Sequence, residues 1–220
     1  FRLVHSDDAL GQAPGSPTPD ARFALDCSAL KKAITEIMTL SGHDKRLPIV
    51  CPIHAAGLDS GGRGRAVAKL VGVLPLHLRR VLTLELTTPP AWPGITPLHA
   101  TISGLKALKV GVWARVPIES RSFDLMNPEF GVVTAQLPRI NPPERECMKA
   151  LDAFAARAKS SGLHCGVAGV NSRSLALAAS AAGFRYLSGR AIRGEVESLE
   201  QATRYDLARL YRDVASEAAL

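Results

Sequence analysis

The chain has 220 residues, 46% of them hydrophobic and 21% charged, enough for one large domain or two small ones with a sizeable core. No run approaches the roughly 18 apolar residues of a membrane helix, and no charged start precedes an apolar stretch, so neither membrane contact nor a signal peptide is expected from this segment. The formal charge of +7 is spread along the chain without a basic block or interleaved aromatics, which argues against a nucleic-acid polymer as partner.

The sequence opens on Phe1 rather than Met, and an excerpt of a longer protein is expected. FRLVHS (Phe1–Ser6) reads as a strand, and Asp7-Asp8 as a solvated pair. Gly11–Pro19 (GQAPGSPTP) is a Pro/Gly-rich loop. Residues 1–25 are thus expected to precede a main domain over 26–220. Asp26 is placed to cap a helix whose apolar positions are Leu30, Ala33, Ile34, Ile37 and Met38, closed by Ser41-Gly42. LPIVCPI (Leu47–Ile53) predicts a buried strand, and its two prolines predict irregular pairing.

A Gly-rich loop over Gly57–Gly64 leads to a helix from Arg65 to Val73, and VLTLEL (Val81–Leu86) is a strand. A helix over Pro97–Leu108 precedes the strand KVGVWAR (Lys109–Arg115). FGVVTAQL (Phe130–Leu137) is the next strand. Pro142-Pro143 opens a helix with Cys147, Met148, Leu151, Phe154 and Ala158 on one side. HCGVAGV (His164–Val170) is a strand, Ser172 caps an Ala-rich helix, and Arg185–Ile192 is a further strand. A last amphipathic helix carries Leu199, Leu207, Leu210, Tyr211 and Val214. Seven strand candidates with continuous apolar runs, mostly followed by helices, indicate a parallel sheet covered by helices. An open doubly wound sheet and a (β/α) barrel both fit, and spacing alone does not choose between them.

Motifs for common chemistries are missing. Cys27, Cys51, Cys147 and Cys165 show no C-x-x-C spacing and suit buried free thiols in a reducing cytoplasm. The six histidines form no H-x-x-x-H pair. Ser28, Ser120 and Ser188 lie outside any G-x-S-x-G elbow. GLDSGGRGR (Gly57–Arg65) precedes a helix but lacks the lysine and the serine or threonine of a phosphate-binding loop, so a plain connection is expected there. No cofactor is expected.

The stretch Gly166–Ile192 (GVAGVNSRSLALAASAAGFRYLSGRAI) resembles the C-terminal part of EAL domains. There a strand ending in E-G-V-E enters a helix, and a strand of the form G-x-x-x-x-Q-G follows. Ala168-Gly169-Val170-Asn171 and Gly183–Gly189 stand in those places. LHLRRVLTLELTT (Leu76–Thr88) looks like the family's P-x-x-L-x-L-E-I-T-E strand, with Glu85 at its first glutamate. LPIVCPIHAAGL (Leu47–Leu58) is similar to L-x-V-N-L-S. LKALKVGVWARV (Leu105–Val116) takes the place of the strand ending in D-D-F-G, and Pro138–Val170 has the family's helix-then-strand layout. The likeness covers about Asp26–Ile192.

The resemblance implies a TIM-like (β/α) barrel of the EAL type, incomplete or irregular at its first strands, with ligands at the C-terminal ends of the strands. Intact members hydrolyse cyclic-di-GMP with two divalent cations held by carboxylates and an asparagine oxygen. The carried-over positions are poor in such ligands. The family's name tripeptide has no match near Phe1–Leu10. Its asparagine falls on Pro52, its paired aspartates on Arg115 and Val116, and its lysine near Leu137. The glutamates of E-G-V-E become Ala168 and Asn171, and the glutamine becomes Ser188. Glu85 alone remains, as a relic ligand or as a structural partner of Arg115.

The expected function is therefore a catalytically inactive regulatory module of bacterial signalling, cytoplasmic and working through contacts with another signalling protein or a domain of the same chain. A non-hydrolysing cyclic-di-GMP receptor is the alternative. Arg115, Asn171, Ser188, Arg190 and Arg193 would be its ligand-binding residues at the strand ends. A residual phosphodiesterase is the third reading. EAL barrels often pair through a helical face, which implies a homodimer by resemblance only.

Overall fold

In the computed structural model the described residues are 18–43, 47–55, 58, 62–87, 99–120, 130–138, 143–192 and 199. The expected first strand, Asp7-Asp8, residues 57 and 59–61 of the Gly57–Gly64 loop, Arg193 and the last amphipathic helix apart from Leu199 lie outside them. The chain divides into two compact units, Phe1–Arg115 with Leu125–Phe130 and Val116–Asp124 with Gly131–Leu220.

The first unit opens with α1 (Pro19–Gly42). The helix begins at Pro19 rather than Asp26, because Thr18 supplies the cap: its hydroxyl accepts the Ala21 N–H at 3.3 Å. Pro19 costs nothing at a position whose N–H would be unsatisfied anyway. Arg63, at the start of α2 (Arg63–Gly72), holds this end by pairing with Asp20 and stacking 5.3 Å from the Phe23 ring centroid. Leu30, Ala33, Ile34, Ile37 and Leu40 form the buried stripe, while Met38 is exposed. Asp26 is no cap. It lies on that stripe and is itself buried.

The strand β1 (Ile49–His54) pairs in parallel with β2 (Leu82–Thr87) over its full length, from Ile49↔Leu82 to His54↔Thr87. The irregular pairing expected from its prolines is absent, for a geometric reason. The Ile49 N–H donates to the Val81 carbonyl at 2.8 Å, towards β2. Alternate N–H groups of a strand point to opposite sides, so those of Val50, residue 52 and His54 point away from β2. Pro52 therefore lacks a donor that the β1–β2 ladder never uses.

A one-turn α3 (Leu76–Arg79) precedes β2, where the sequence showed no helix signal. The helix α4 (His99–Ala107) then leads to β3 (Gly111–Pro117), which pairs in parallel with β2 from Thr83↔Gly111 to Thr87↔Arg115. Ile49, Cys51, Ile53, Leu82, Leu84, Leu86, Val112 and Ala114 are buried on one face of this sheet.

All four cysteines are free. Burial, with Asp26 and Glu85 nearby, pushes the Cys51 thiol from 9.0 up to about 12. The folded chain thus keeps a proton that the unfolded chain releases. The stability tied to it is intact below about pH 9 and is lost as pH rises through about 12. Denaturation at about pH 8 and about pH 11 should show the wild type losing more stability over that interval than Cys51→Ala. Equal losses would contradict this.

The second unit repeats the strand–helix pattern through β4 (Val132–Gln136), α5 (Glu144–Ser160), β5 (His164–Ala168), α6 (Arg173–Ala181) and β6 (Tyr186–Ser188). Acidic Glu144 and Glu146 in the first turn of α5 and basic Arg157 and Lys159 in its last turn match the helix dipole. Cys147, Leu151, Phe154 and Ala158 are buried, with Ala155 in the place expected for Met148, and Phe154 stacks on Phe184 with centroids 6.0 Å apart. Ser172 caps α6 as expected, accepting the Leu175 N–H at 3.2 Å. The strands β4, β5 and β6 run parallel, with Gln136↔Ala168↔Ser188 as their last row. The strand expected over 185–192 stops at Ser188, since Gly189 bends away and Ile192 N–H closes a turn onto its carbonyl at 3.0 Å.

Candidate functional site

In the first unit, strand alternation places three rows of side chains on the face opposite the apolar one. They are Val50–Thr83–Gly111, then Pro52–Glu85–Trp113, then His54–Thr87–Arg115 nearest the C-terminal ends. Glu85 and Arg115 therefore stand one row apart on adjacent strands. Their side chains meet, with Arg115 Nε 3.2 Å from Glu85 Oε2. Both are buried, at 1% and 5% exposure. Two buried ions are tolerated when each offsets the other's loss of water. This accounts for an otherwise isolated acid in the strand LTLELT.

A second polar pair, Asp26 with His54, stands at the end of β1. Asp26 accepts the His54 backbone N–H at 2.9 Å and faces His54 Nδ1 at 3.0 Å. One carboxylate thus satisfies the outward N–H of β1 and orients the imidazole. Asp26→Ala removes the acceptor for both and should cost about 1.5–3 kcal/mol in chemical denaturation, as for hydrogen bonds to a charged group. A change within about 0.5 kcal/mol would contradict this role. The pair is invisible to local motif reading, because its members are 28 residues apart. An acid on the buried stripe of α1 was its only signal.

The second unit holds the remaining carried-over positions. Ala168 is buried beside Ser188, whose hydroxyl donates to the Val167 carbonyl at 3.5 Å. Leu137 is buried, and its N–H donates to the Ala168 carbonyl at 3.0 Å. Val116 is buried too. Asn171 and Arg190 are exposed beyond the ends of β5 and β6. Arg115 lies in the first unit, and Arg193 falls outside the described residues. Among the described residues, no three His, Cys, Asp or Glu side chains gather where a metal ion could sit. No helix of the described residues is long and apolar enough to cross a membrane.

The fold is that of EAL domains. The structure of YkuI from Bacillus subtilis, a protein with an EAL domain in complex with substrate cyclic-di-GMP and calcium, matches with a TM-score of 0.69 at 16% identity over 97% of this chain and 53% of that one. The FimX EAL domain of Xanthomonas citri, in complex with cyclic-di-GMP, matches with a TM-score of 0.65 at 12% identity over 85% and 74%. An EAL-domain protein from Listeria monocytogenes gives 0.60 at 13% over 90% and 75%. This chain spans about half the length of YkuI. No protein-family model matches the sequence, and no curated protein matches it. Of the two architectures left open by strand spacing, the barrel type is therefore the right one.

Proposed function

We propose that this chain is an EAL-fold regulatory module of bacterial signalling that does not hydrolyse cyclic-di-GMP and acts through protein contacts in the cytoplasm. The observation that carries this reading is the buried ion pair of Glu85 with Arg115 at 3.2 Å. The single carboxylate left at the resemblance's metal-ligand positions is committed to a guanidinium. A unit positive charge about 4 Å from a cation costs roughly 4 kcal/mol per cation charge at an effective dielectric of about 20. Pro52 and Ala168 carry no side-chain oxygen, and divalent magnesium or manganese needs several hard oxygen ligands. These residues do not fit two such ions.

Incubation of the purified chain with Mn²⁺ and cyclic-di-GMP should give no linear product above the buffer control. Turnover that depends on Mn²⁺ and is abolished by EDTA would contradict the reading. The receptor alternative is favoured by one observation, the exposed Arg190 just past β6, available to a phosphate. Calorimetry without metal separates the two: binding near micromolar supports the receptor, and silence supports the protein-contact module.

A further inference from the structure

A cavity of about 140 Å³ opens in the second unit, at the C-terminal ends of β4 and β5 and the N-terminal ends of α5 and α6. Leu137, Cys147 and Leu175 give it apolar walls, while Glu144, Asn171 and Ser172 supply its polar atoms. We propose that this cavity receives the lysine or arginine side chain of a partner protein, its aliphatic stem against the apolar wall and its cationic head on the Glu144 carboxylate. The proposal rests on the protein-contact reading above and names the chemistry of the partner.

Three observations carry it. Ser174 donates its hydroxyl to Glu144 Oε2 at 2.7 Å. Hydrogen bonds from Ser172 and Ser174 hold the Glu144 carboxyl below the usual carboxylate range, so it is ionised at neutral pH. Two hydroxyls use about half of the roughly four lone-pair positions of a carboxylate, which leaves room for a further donor. None of the described residues that line the cavity is basic.

Carboxylates gather beside Cys147 on the cavity wall. The chain carries a net charge of +7, yet burial and then Glu119, Glu144 and Glu146 push the Cys147 thiol up. These carboxylates oppose the partial positive charge of the two helix N-termini at the cavity, and Glu144 is the charged group that an entering head group meets. Long basic side chains lay their methylene stems on apolar surface while the head keeps polar company, which matches the division of this lining. In (β/α) barrels, ligands also settle at the carboxyl ends of the strands, where this cavity lies.

The test uses the ¹⁵N-labelled full chain titrated with n-butylammonium, 1-butanol and butyrate. The amides of Gly169, Asn171, Ser172 and Leu175 should shift saturably with n-butylammonium and more weakly with the other two. Glu144→Gln should weaken the ammonium response by about two- to fivefold, the range of a partly exposed ion pair. Asn171→Trp, at an exposed position, should fill the cavity and abolish the response while the rest of the spectrum persists. An equal response to 1-butanol or butyrate, no saturable response, or an unchanged response in Glu144→Gln would overturn the proposal. Cyclic-di-GMP turnover would instead overturn the regulatory reading and leave the ammonium preference standing, so the two failures are distinguishable.

Discussion

Replacing Glu85 by Ala is expected to lower the free energy of unfolding by about 3–5 kcal/mol. Glu85 and Arg115 are both almost fully withdrawn from solvent, so removing the carboxylate leaves a guanidinium in a medium that cannot solvate it. The loss exceeds the net worth of the pair, because two ions that lost their water together gain only the surplus of attraction over desolvation. Arg115→Ala should cost a similar amount for the same reason. The double variant Glu85→Leu/Arg115→Met should recover most of the loss and come within about 1 kcal/mol of the wild type, or exceed it, since apolar residues of similar volume often replace a buried pair without penalty. Urea denaturation of the wild type, the two alanine variants and the double variant Glu85→Ala/Arg115→Ala gives the coupling directly. Additive single-variant losses would show that the pair does not act as a unit.

The second large effect is expected at Gly189. Its φ of 150° is one that L side chains rarely adopt, and a Cβ there would run into the backbone nitrogen and oxygen of Val170. That backbone cannot move aside. Val170 N–H donates to the Ser188 carbonyl at 3.0 Å, and the Val170 carbonyl accepts from Ala191 N–H at 3.1 Å. Gly189→Ala should therefore cost about 3 kcal/mol or more, from unfavourable dihedrals together with a clash against fixed backbone. Gly162 offers a control. Its φ is also positive, at 69°, but a Cβ there meets nothing within 4 Å, so Gly162→Ala should cost only about 1–2 kcal/mol. Thermal melts that show equal losses at the two positions would contradict the steric argument.

Much of the fold was readable in the chain because apolar periodicity reports burial. The stripe Leu30, Ala33, Ile34 and Ile37, the strand VLTLEL and the cap at Ser172 all stand within a residue or two of their expected places. Boundaries failed where a local signal had two readings. Thr18-Pro19 looked like the end of a loop and is the start of a helix, and Asp26 looked like a cap and is a buried acceptor for His54. Pro52 looked disruptive because sequence does not say which edge of a strand its missing N–H faces. The Glu85–Arg115 pairing was legible as one of two readings of a lone acid in an apolar strand. The Asp26–His54 pair was not, since its partners meet only through tertiary packing.

The most direct measurement is anomalous diffraction at the manganese edge from crystals grown with Mn²⁺ and cyclic-di-GMP. With the last carboxylate of the resemblance's ligand positions held by a guanidinium, no anomalous peak should lie within bonding distance of Glu85, and Arg115 should keep its contact with that side chain. Two well-occupied ions beside Glu85, with Arg115 displaced, would contradict this.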